Sequence, residues 1–163
     1  MNDPDLLAAC RTAPDLYKAL DDALGRLIGH KLFTLMAIDW PRGEAARIYT
    51  NLPDAYPVGG RKELGALTAW GEVVLRDRQP WIAYTADDIR GAFFDHELIA
   101  SLGCASCLNM PVIDHDAPDG PRVIGTVNML HEAGHFHTDH IAMAEPFAAL
   151  LVQPYRDWAA TPG

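Results

Sequence analysis

The chain has 163 residues, a length typical of one domain, and its 49% hydrophobic and 21% charged residues are the profile of a globular protein in water. A domain of this size buries about 68–70% of its unfolded surface, so it needs no disulfide or structural metal to fold. The formal net charge of −9 disfavours nucleic acid and anionic membrane surfaces as partners. No apolar run approaches the ~18 residues that span a bilayer, and the first residues are acidic where a signal peptide is basic, so we expect a cytoplasmic protein.

The first half of the chain predicts a helix, an antiparallel strand pair, a second helix and a short strand. Residues 15–28 carry their leucines on one helical stripe. The apolar run at 32–39 and the β-rich run at 46–51 flank a turn that contains Pro and Gly, which is typical of a hairpin. Residues 64–78 are helical in character, and residues 80–85 predict a short strand.

The second half predicts another hairpin between helices. Residues 87–103 indicate a loop and a short helix that ends at Gly103. Two β-rich runs, 104–114 and 123–131, flank a turn-rich connection and predict two paired strands. Antiparallel hairpins with helices before, between and after them predict an α+β domain.

The last predicted element is a long C-terminal helix. Thr138 or Asp139 is expected to cap its start, because short polar side chains accept hydrogen bonds from free N–H groups there. Pro154 is expected to kink or end it, and Pro146 also falls inside the pattern.

The two late strands are the most informative elements, because their two faces differ. Alternation places mainly apolar side chains on one face, Val123 among them. The opposite face carries Ile124 and an uncharged polar set: Cys107, Asn109, Thr126 and Asn128. Such a face suits a partly enclosed ligand cavity better than open water, with a plain solvated face as the alternative.

The segments SCLNMPVID and GPRVIGTVNMLHEAG resemble the C-terminal half of a GAF domain. Members of that family carry a Ser-x-x-x-x-Pro strand, here Ser106 to Pro111, then a hairpin and a strand with Gly followed by alternating apolar residues. A short loop with an aromatic residue, here Phe136, leads to a capped helix. The resemblance extends from the helix at Leu16 to the one at Trp158. It implies a GAF/PAS-like central antiparallel sheet, with N- and C-terminal helices packed on one face and a ligand pocket on the other.

The resemblance implies one GAF-like domain over residues 1–163. Its parts are an N-terminal helical segment (1–30), the sheet and pocket (31–137) and a C-terminal helix (138–160). It also implies a stand-alone sensory module that holds a small polar organic ligand and forms a homodimer, with any signal passing through a partner. Neither nucleic acid nor a membrane is an expected partner. No cofactor is expected, and no cysteine is placed as the attachment of a bilin requires.

In proteins of this family the segment before the Ser-x-x-x-x-Pro strand, here 85–103, walls the pocket. Phe93, Phe94 and His96 are candidates to close over a ligand, and acidic residues of this segment could bind a cationic one: Asp87, Asp88, Asp95 and Glu97. Core packing or a solvated surface is the alternative for each. The predicted ligand-binding set is Asn109, Asn128, Cys107, Thr126, Trp70, Tyr84, Phe93 and His96.

The stretch HEAGH at 131–135 matches the H-E-x-x-H pattern of zinc proteases, which requires both histidines on one helix. The run before His131 is β-rich and Gly134 disfavours a helix interior, so we expect His131 at a strand end and His135 in a loop. With His137 and His140 these residues form a dense group that could bind Zn, Ni or Cu. An exposed polar loop is the favoured alternative, so no metal site is predicted and a zinc hydrolase is the least favoured function.

The alternative to a binding module is a small enzyme on the same scaffold. The family includes free methionine-(R)-sulfoxide reductases, which use cysteine chemistry, and this chain has Cys10, Cys104 and Cys107. It departs from their pattern, because Cys107, Asn128 and Leu130 occupy the pocket positions of their carboxylates and the preceding loop has no cysteine. Structural packing is therefore favoured over redox chemistry for the lone C-x-x-C, and another enzymatic activity stays open.

Overall fold

Six antiparallel strands form the centre of the fold in a computed structural model, which describes residues 3–161. Their order across the sheet is β3-β2-β1-β6-β5-β4. The strands are β1 (Leu32–Asp39), β2 (Glu44–Thr50), β3 (Lys62–Glu63), β4 (Trp81–Ala83), β5 (Ser106–Asp114) and β6 (Arg122–His131). Strands β1, β5 and β6 are buried over most of their length, because helices and loops cover both faces of the sheet. The predicted α+β class is confirmed.

Seven α-helices surround the sheet in the described part of the chain. They are α1 (Asp3–Thr12), α2 (Leu16–Leu27), α3 (Ala69–Gly71), α4 (Ala86–Ala92), α5 (His96–Ser101), α6 (Asp139–Ala149) and α7 (Val152–Ala160). Helix α3 continues directly into a π-helical turn at Glu72–Arg76. Between residues 3 and 161, none of the helices combines the length and the apolar character needed to cross a membrane.

Helices α1, α2, α6 and α7 cover one face of the sheet and form the main core with it. Leu24 of α2 and Phe147 of α6 pack in the same buried cluster as Leu35 of β1. Tyr155 of α7 is fully buried, and its hydroxyl donates to the backbone carbonyl of Thr126 at 3.0 Å. Gly125 makes this close approach possible, since a Cβ at that position would overlap the Tyr155 ring.

The shorter helices pack on the opposite face around two smaller clusters. Val74 of the π-helical turn packs with Ile38 and Val123, while Ile89 of α4 and Ile99 of α5 pack with residues at the other end of the sheet. Space remains between these two clusters over the middle of the sheet. The candidate pocket lies in that space.

Arg61 ties the segment between β2 and β3 to the end of α7. Its guanidinium donates to Asp39 Oδ2 at 3.0 Å and to the backbone carbonyls of Trp158 at 2.9 Å and Thr161 at 2.7 Å. It also lies over the Trp158 ring, 3.9 Å from the centroid. A cation at the C-terminus of a helix satisfies carbonyls that have no partner within the helix. Arg42 adds a bond to Asp39 at 2.9 Å.

The helical ends of the chain differ from the sequence prediction in two ways. Helix α1 (Asp3–Thr12) lies in the segment expected to be helical, 1–30, but it is a separate helix before the one predicted at 15–28. The single helix predicted for 138–160 is two helices with a break at Leu150 and Leu151. Pro154 stands in the first turn of α7, where a missing N–H costs no helical bond, and α7 runs on past it to Ala160, so the helix does not end at this proline as the prediction allowed.

The predicted cap of α6 is also wrong in its chemistry. Thr138 precedes the helix, but its side chain makes no capping hydrogen bond. Instead the Nδ1 of His140 accepts from the backbone N–H of His137 at 3.3 Å. That N–H lies before the helix, and the N–H groups of His140 and Ile141 in the first turn donate to the backbone carbonyls of His137 and Thr138.

A β-bulge changes the predicted faces at the start of β6. Val112 pairs with Gly125 and Ile113 with Val123, which leaves Ile124 as an extra residue. Val123 therefore packs on the pocket side and Ile124 packs under the terminal helices, the reverse of the prediction. From Gly125 onward the predicted alternation holds.

Candidate ligand pocket

A cavity of about 370 Å³ lies on the face of the sheet opposite the terminal helices. Its floor is formed by strands β1, β5 and β6, and its walls come from the β2–β3 segment, from α3 and from the α4–α5 connection. The polar side chains on its floor are Thr34, Asn109, Thr126 and Asn128. A volume in this range corresponds to a small organic molecule.

Two asparagine side chains form the centre of the floor. Asn109 and Asn128 stand opposite each other on β5 and β6, and the Nδ2 of Asn109 donates to the Oδ1 of Asn128 at 2.7 Å. The Nδ2 of Asn128 donates to Thr34 Oγ1 at 3.2 Å. The three strands therefore present one connected row of uncharged polar groups to the cavity.

Thr126 stands beside this row without a hydrogen-bond partner. Its residue exposure is 0%, it lines the cavity, and its Oγ1 makes no hydrogen bond to any described residue. A buried hydroxyl that is left unsatisfied costs free energy, so native proteins usually supply a partner from the protein, water or a ligand. This hydroxyl marks a place where a bound molecule can complete the hydrogen bonding.

Trp70 forms one wall and is fixed to the floor. Its Nε1 donates to the Oδ1 of Asn109 at 2.9 Å, and its ring lies 5.9 Å from the ring of Phe93. Thr68 caps the short helix that carries it, since the Thr68 hydroxyl accepts from the N–H of Gly71 at 3.2 Å. These contacts fix the position of the Trp70 ring relative to Asn109 and Asn128.

The opposite side of the cavity is closed by contacts between two loops. The Tyr56 hydroxyl, in the β2–β3 segment, donates to Asp95 Oδ2, between α4 and α5. The Arg47 guanidinium lies over the Tyr56 ring at 3.7 Å and donates to the carbonyl of Pro57 at 2.7 Å. Burial, and next the bond to Asp95, raises the pKa of Tyr56, so the phenol keeps its proton at neutral pH.

Five of the eight residues predicted to bind ligand line this cavity: Asn109, Asn128, Thr126, Trp70 and Phe93. Cys107 lies just beyond the floor, where its Sγ donates to the Oδ1 of Asn109 at 3.4 Å. Tyr84 is 47% exposed and lies outside the cavity, with its carbonyl bonded to the N–H of Gly134. His96 lines a separate, smaller cavity of about 210 Å³ between α4 and α5.

Several lining residues were not predicted from the sequence. Tyr56 and Arg47 reach the cavity from segments distant in the chain, and Thr34 and Met36 do so from β1. For Thr34 and Met36 a signal existed, because β1 pairs with β6 and alternation aligns them with Asn128 and Thr126. Arg47 had the same signal, because it stands on β2 opposite Met36. Tyr56 lies outside any strand or helix, so only tertiary contacts place it.

The HEAGH stretch is not helical. His131 ends β6 and His135 lies in the following loop, as predicted. Their rings stack with centroids 3.9 Å apart, and the Nε2 of His135 bonds to the carbonyl of Ile28 at 2.8 Å. Glu132 is exposed. Among residues 3–161 no three His, Cys, Asp or Glu side chains converge as metal ligands would.

All three cysteines are free thiols and buried. Burial raises the pKa of Cys10, of Cys104 and of Cys107, and for Cys107 the value is about 12. A nucleophilic cysteine requires the opposite shift, because the thiolate is the reactive species. The positions of these thiols fit packing in the core.

Comparison with known proteins identifies one family by its sequence profile and a common fold among solved structures. The profile of the GAF domain matches residues 20–153. Solved structures with the same fold include the GAF domain of a two-component sensor histidine kinase from Bacillus halodurans, at 14% identity and a TM-score of 0.68 over 91% of this chain and 96% of that one. Another is the GAF domain of an Acinetobacter phosphoenolpyruvate-protein phosphotransferase, at 12% identity and 0.69 over 99% and 94%.

A third is the chromophore-binding domain of a bacteriophytochrome from R. palustris, at 12% identity and a TM-score of 0.65, over 95% of this chain and 60% of that one. At these identities the likeness concerns the fold. No curated protein matches the sequence.

Proposed function

This chain belongs to the GAF domain family, whose members serve as small-molecule-binding sensory modules in signalling proteins, and on that premise we propose that it senses a small polar organic molecule bound in the cavity over β1, β5 and β6. The family match spans residues 20–153 and includes every strand that forms the cavity floor. The ligand is expected to be held without a covalent bond.

The observation that carries the proposal is the unpartnered hydroxyl of Thr126. It is fully buried, belongs to a residue that lines a cavity large enough for an organic molecule, and stands beside the hydrogen-bonded pair of Asn109 and Asn128. An empty cavity without a binding role would be lined by apolar groups, since buried polar groups without a hydrogen-bond partner destabilise a fold. The R. palustris neighbour, whose domain is described as chromophore-binding, supports a role for this fold in holding an organic molecule.

We also propose that the protein acts as a homodimer through its terminal helices. Helices α1, α2, α6 and α7 lie on the face of the sheet opposite the cavity. That arrangement leaves the cavity mouth free when two copies meet at their helical layers. A homodimer of this kind could pass ligand occupancy to a signalling partner.

Native mass spectrometry of the purified protein tests both proposals. We expect a dimer that retains a small organic mass. The occluding variant is Ala46→Phe, because Ala46 lines the cavity, and its matched control is Ala133→Phe, because Ala133 is exposed in the loop after β6 and belongs neither to the cavity lining nor to the terminal helices. The retained mass should be lost in the first variant and kept in the second.

Two results would contradict the binding function. One is a retained mass that survives Ala46→Phe in a folded protein, because the molecule would then sit elsewhere. The other is a protein that retains nothing and whose melting temperature no member of a metabolite library raises. A monomer at micromolar concentration would contradict the dimer alone.

A further inference from the structure

We propose that the cavity floor recognises the uncharged amide edge of a flat aromatic molecule, a carboxamide or lactam with a carbonyl and an N–H side by side. This inference rests on the proposed binding function and adds the chemical class of the ligand. It follows from the charge of the floor, from its hydrogen-bonding capacity and from the shape of its walls.

The floor has no charged side chain that could pair with a charged group of a ligand. Its polar members are two hydroxyls and two amides, and Asn109 and Thr126 are at most 1% exposed. The charged side chains that line the cavity are exposed or half-exposed, and their formal charges cancel: Arg47, Lys62, Glu63 and Asp95. A carboxylate or an ammonium group at the floor would lose its hydration without gaining a counter-charge.

The floor offers donors and acceptors together. The Thr126 hydroxyl can donate once and accept twice, and all of that capacity is free. The Oδ1 of Asn128 accepts one hydrogen bond from Asn109 and has a second lone pair. A carboxylate presents acceptors only and an ammonium group presents donors only, whereas an amide edge presents one of each. Of these three groups, the amide edge is the one that complements this floor.

The walls favour a flat ring system above that edge. Trp70 and Phe93 form one wall, with ring centroids 5.9 Å apart, and the Tyr56 ring lines the other side. Aromatic side chains contact flat rings over a large area with defined geometry. A cavity of about 370 Å³ is near the lower end of ligand sites, which corresponds to a molecule of one or two fused rings.

Three probes that share one ring system test the ligand class: naphthamide, naphthoate and naphthylmethylammonium. Binding is followed in proton–nitrogen correlation spectra through the side-chain NH₂ signals of Asn109 and Asn128 and the indole signal of Trp70. We expect naphthamide to shift these signals and to bind at least about tenfold more tightly than either charged probe.

A variant of Thr126 separates recognition from structural support. Thr126→Val removes the unpartnered hydroxyl and nearly keeps the shape of the side chain, so the free protein should keep or raise its melting temperature while naphthamide affinity falls about tenfold. The control is Thr34→Val, which removes the hydroxyl that accepts from the Asn128 amide at 3.2 Å and should lower the melting temperature of the free protein. A purely structural role for Thr126 predicts a lower melting temperature and unchanged affinity.

Three outcomes overturn the inference. They are a charged probe that matches naphthamide at the asparagine signals, an unchanged naphthamide affinity in Thr126→Val, and the failure of all three probes to move those signals. In the first case the cavity still binds an organic molecule, so the proposed function stands. In the last case the function is judged separately, by whether the purified protein carries a small molecule that Ala46→Phe expels.

Discussion

The side-chain amides of Asn109 and Asn128 face each other across two paired strands, and the first donates to the second at 2.7 Å. The two residues are separated by a hairpin in the sequence and by one interstrand distance in the fold. Each also bonds a further group, Trp70 for Asn109 and Thr34 for Asn128. The pair therefore links a wall of the cavity to β1, one of the two central strands of the sheet.

This linkage predicts that the two amides are energetically coupled. Asn128→Leu leaves the Asn109 donor and the Thr34 hydroxyl without a partner, and should lower the free energy of unfolding by about 1–3 kcal/mol. In a double-mutant cycle with Asn109→Leu, measured by urea denaturation, the second substitution should cost less than it does alone, by about 0.5 kcal/mol or more. Strict additivity of the two losses would contradict the coupling.

Gly125 is predicted to tolerate no side chain. A Cβ there would overlap the Tyr155 ring and the Met36 carbonyl oxygen, so Gly125→Ala should lower the free energy of unfolding by about 1–3 kcal/mol. Gly91 is the control, since it lies in α4 with open space around it, and Gly91→Ala should be neutral or stabilising by up to about 1 kcal/mol. Equal effects of the two substitutions in thermal denaturation would refute this account.

Arg61 is predicted to hold the end of α7 more strongly than Arg42 does. The Arg61 side chain is 12% exposed and the Arg42 side chain is 47% exposed, although both bond to Asp39. Arg61→Gln should lower the free energy of unfolding by about 1–3 kcal/mol and speed amide exchange near Trp158, because buried charged hydrogen bonds are lost. Arg42→Gln removes a more exposed ion pair and should lower the free energy of unfolding by at most about 1 kcal/mol.

A larger loss of stability in Arg42→Gln than in Arg61→Gln would contradict this prediction, because it would show that the exposed arginine is the main partner of Asp39. Amide hydrogen exchange at residues 156–161 distinguishes a local effect on the helix end from global destabilisation. A local effect appears there before exchange rises in the central strands.

The stacked histidines predict a loss of stability in mild acid. The pKa of His131 is lowered, first by burial and then by the adjacent His135, and the pKa of His140 is lowered by burial and by its histidine neighbours. In each case the unfolded chain binds a proton more readily than the folded protein. The free energy of unfolding should therefore be constant above about pH 7 and fall as the pH drops through about 6.5, the unfolded pKa.

The measurement is the melting temperature between pH 8 and pH 5, followed by circular dichroism. The contribution of His131 is the difference between the wild type and His131→Gln, which should show a weaker pH dependence. His115→Gln is the control, because His115 is exposed and lies outside the stack. A His131→Gln variant with the full acid sensitivity of the wild type would remove the stack as its cause.

The sequence predicted the sheet well where burial imposes a pattern. The apolar run of β1 is bounded by a turn, and its predicted range, 32–39, is the observed one. The alternation of Thr126 and Asn128 placed both residues on the face that holds the cavity. These features depend on neighbours along the chain, so the chain alone reveals them.

Features set by distant contacts could not be predicted in this way. The bulge at Ile124 depends on the register of β5, and it exchanged the predicted faces of Val123 and Ile124. Tyr56 reaches the cavity because Asp95, on another loop, accepts its hydroxyl. Nothing in the local sequence distinguishes it from Tyr84, which lies outside.

Thr126 contacts both the cavity and the layer of terminal helices. Its side chain lines the cavity, while its carbonyl accepts a hydrogen bond from the hydroxyl of Tyr155 in the helical layer on the far side. At this point one residue of the sheet, Thr126, is all that separates the cavity from the terminal helices. A ligand that shifted Thr126 would therefore also shift the hydrogen-bond acceptor of Tyr155, and this contact connects the cavity to the terminal helices through the sheet.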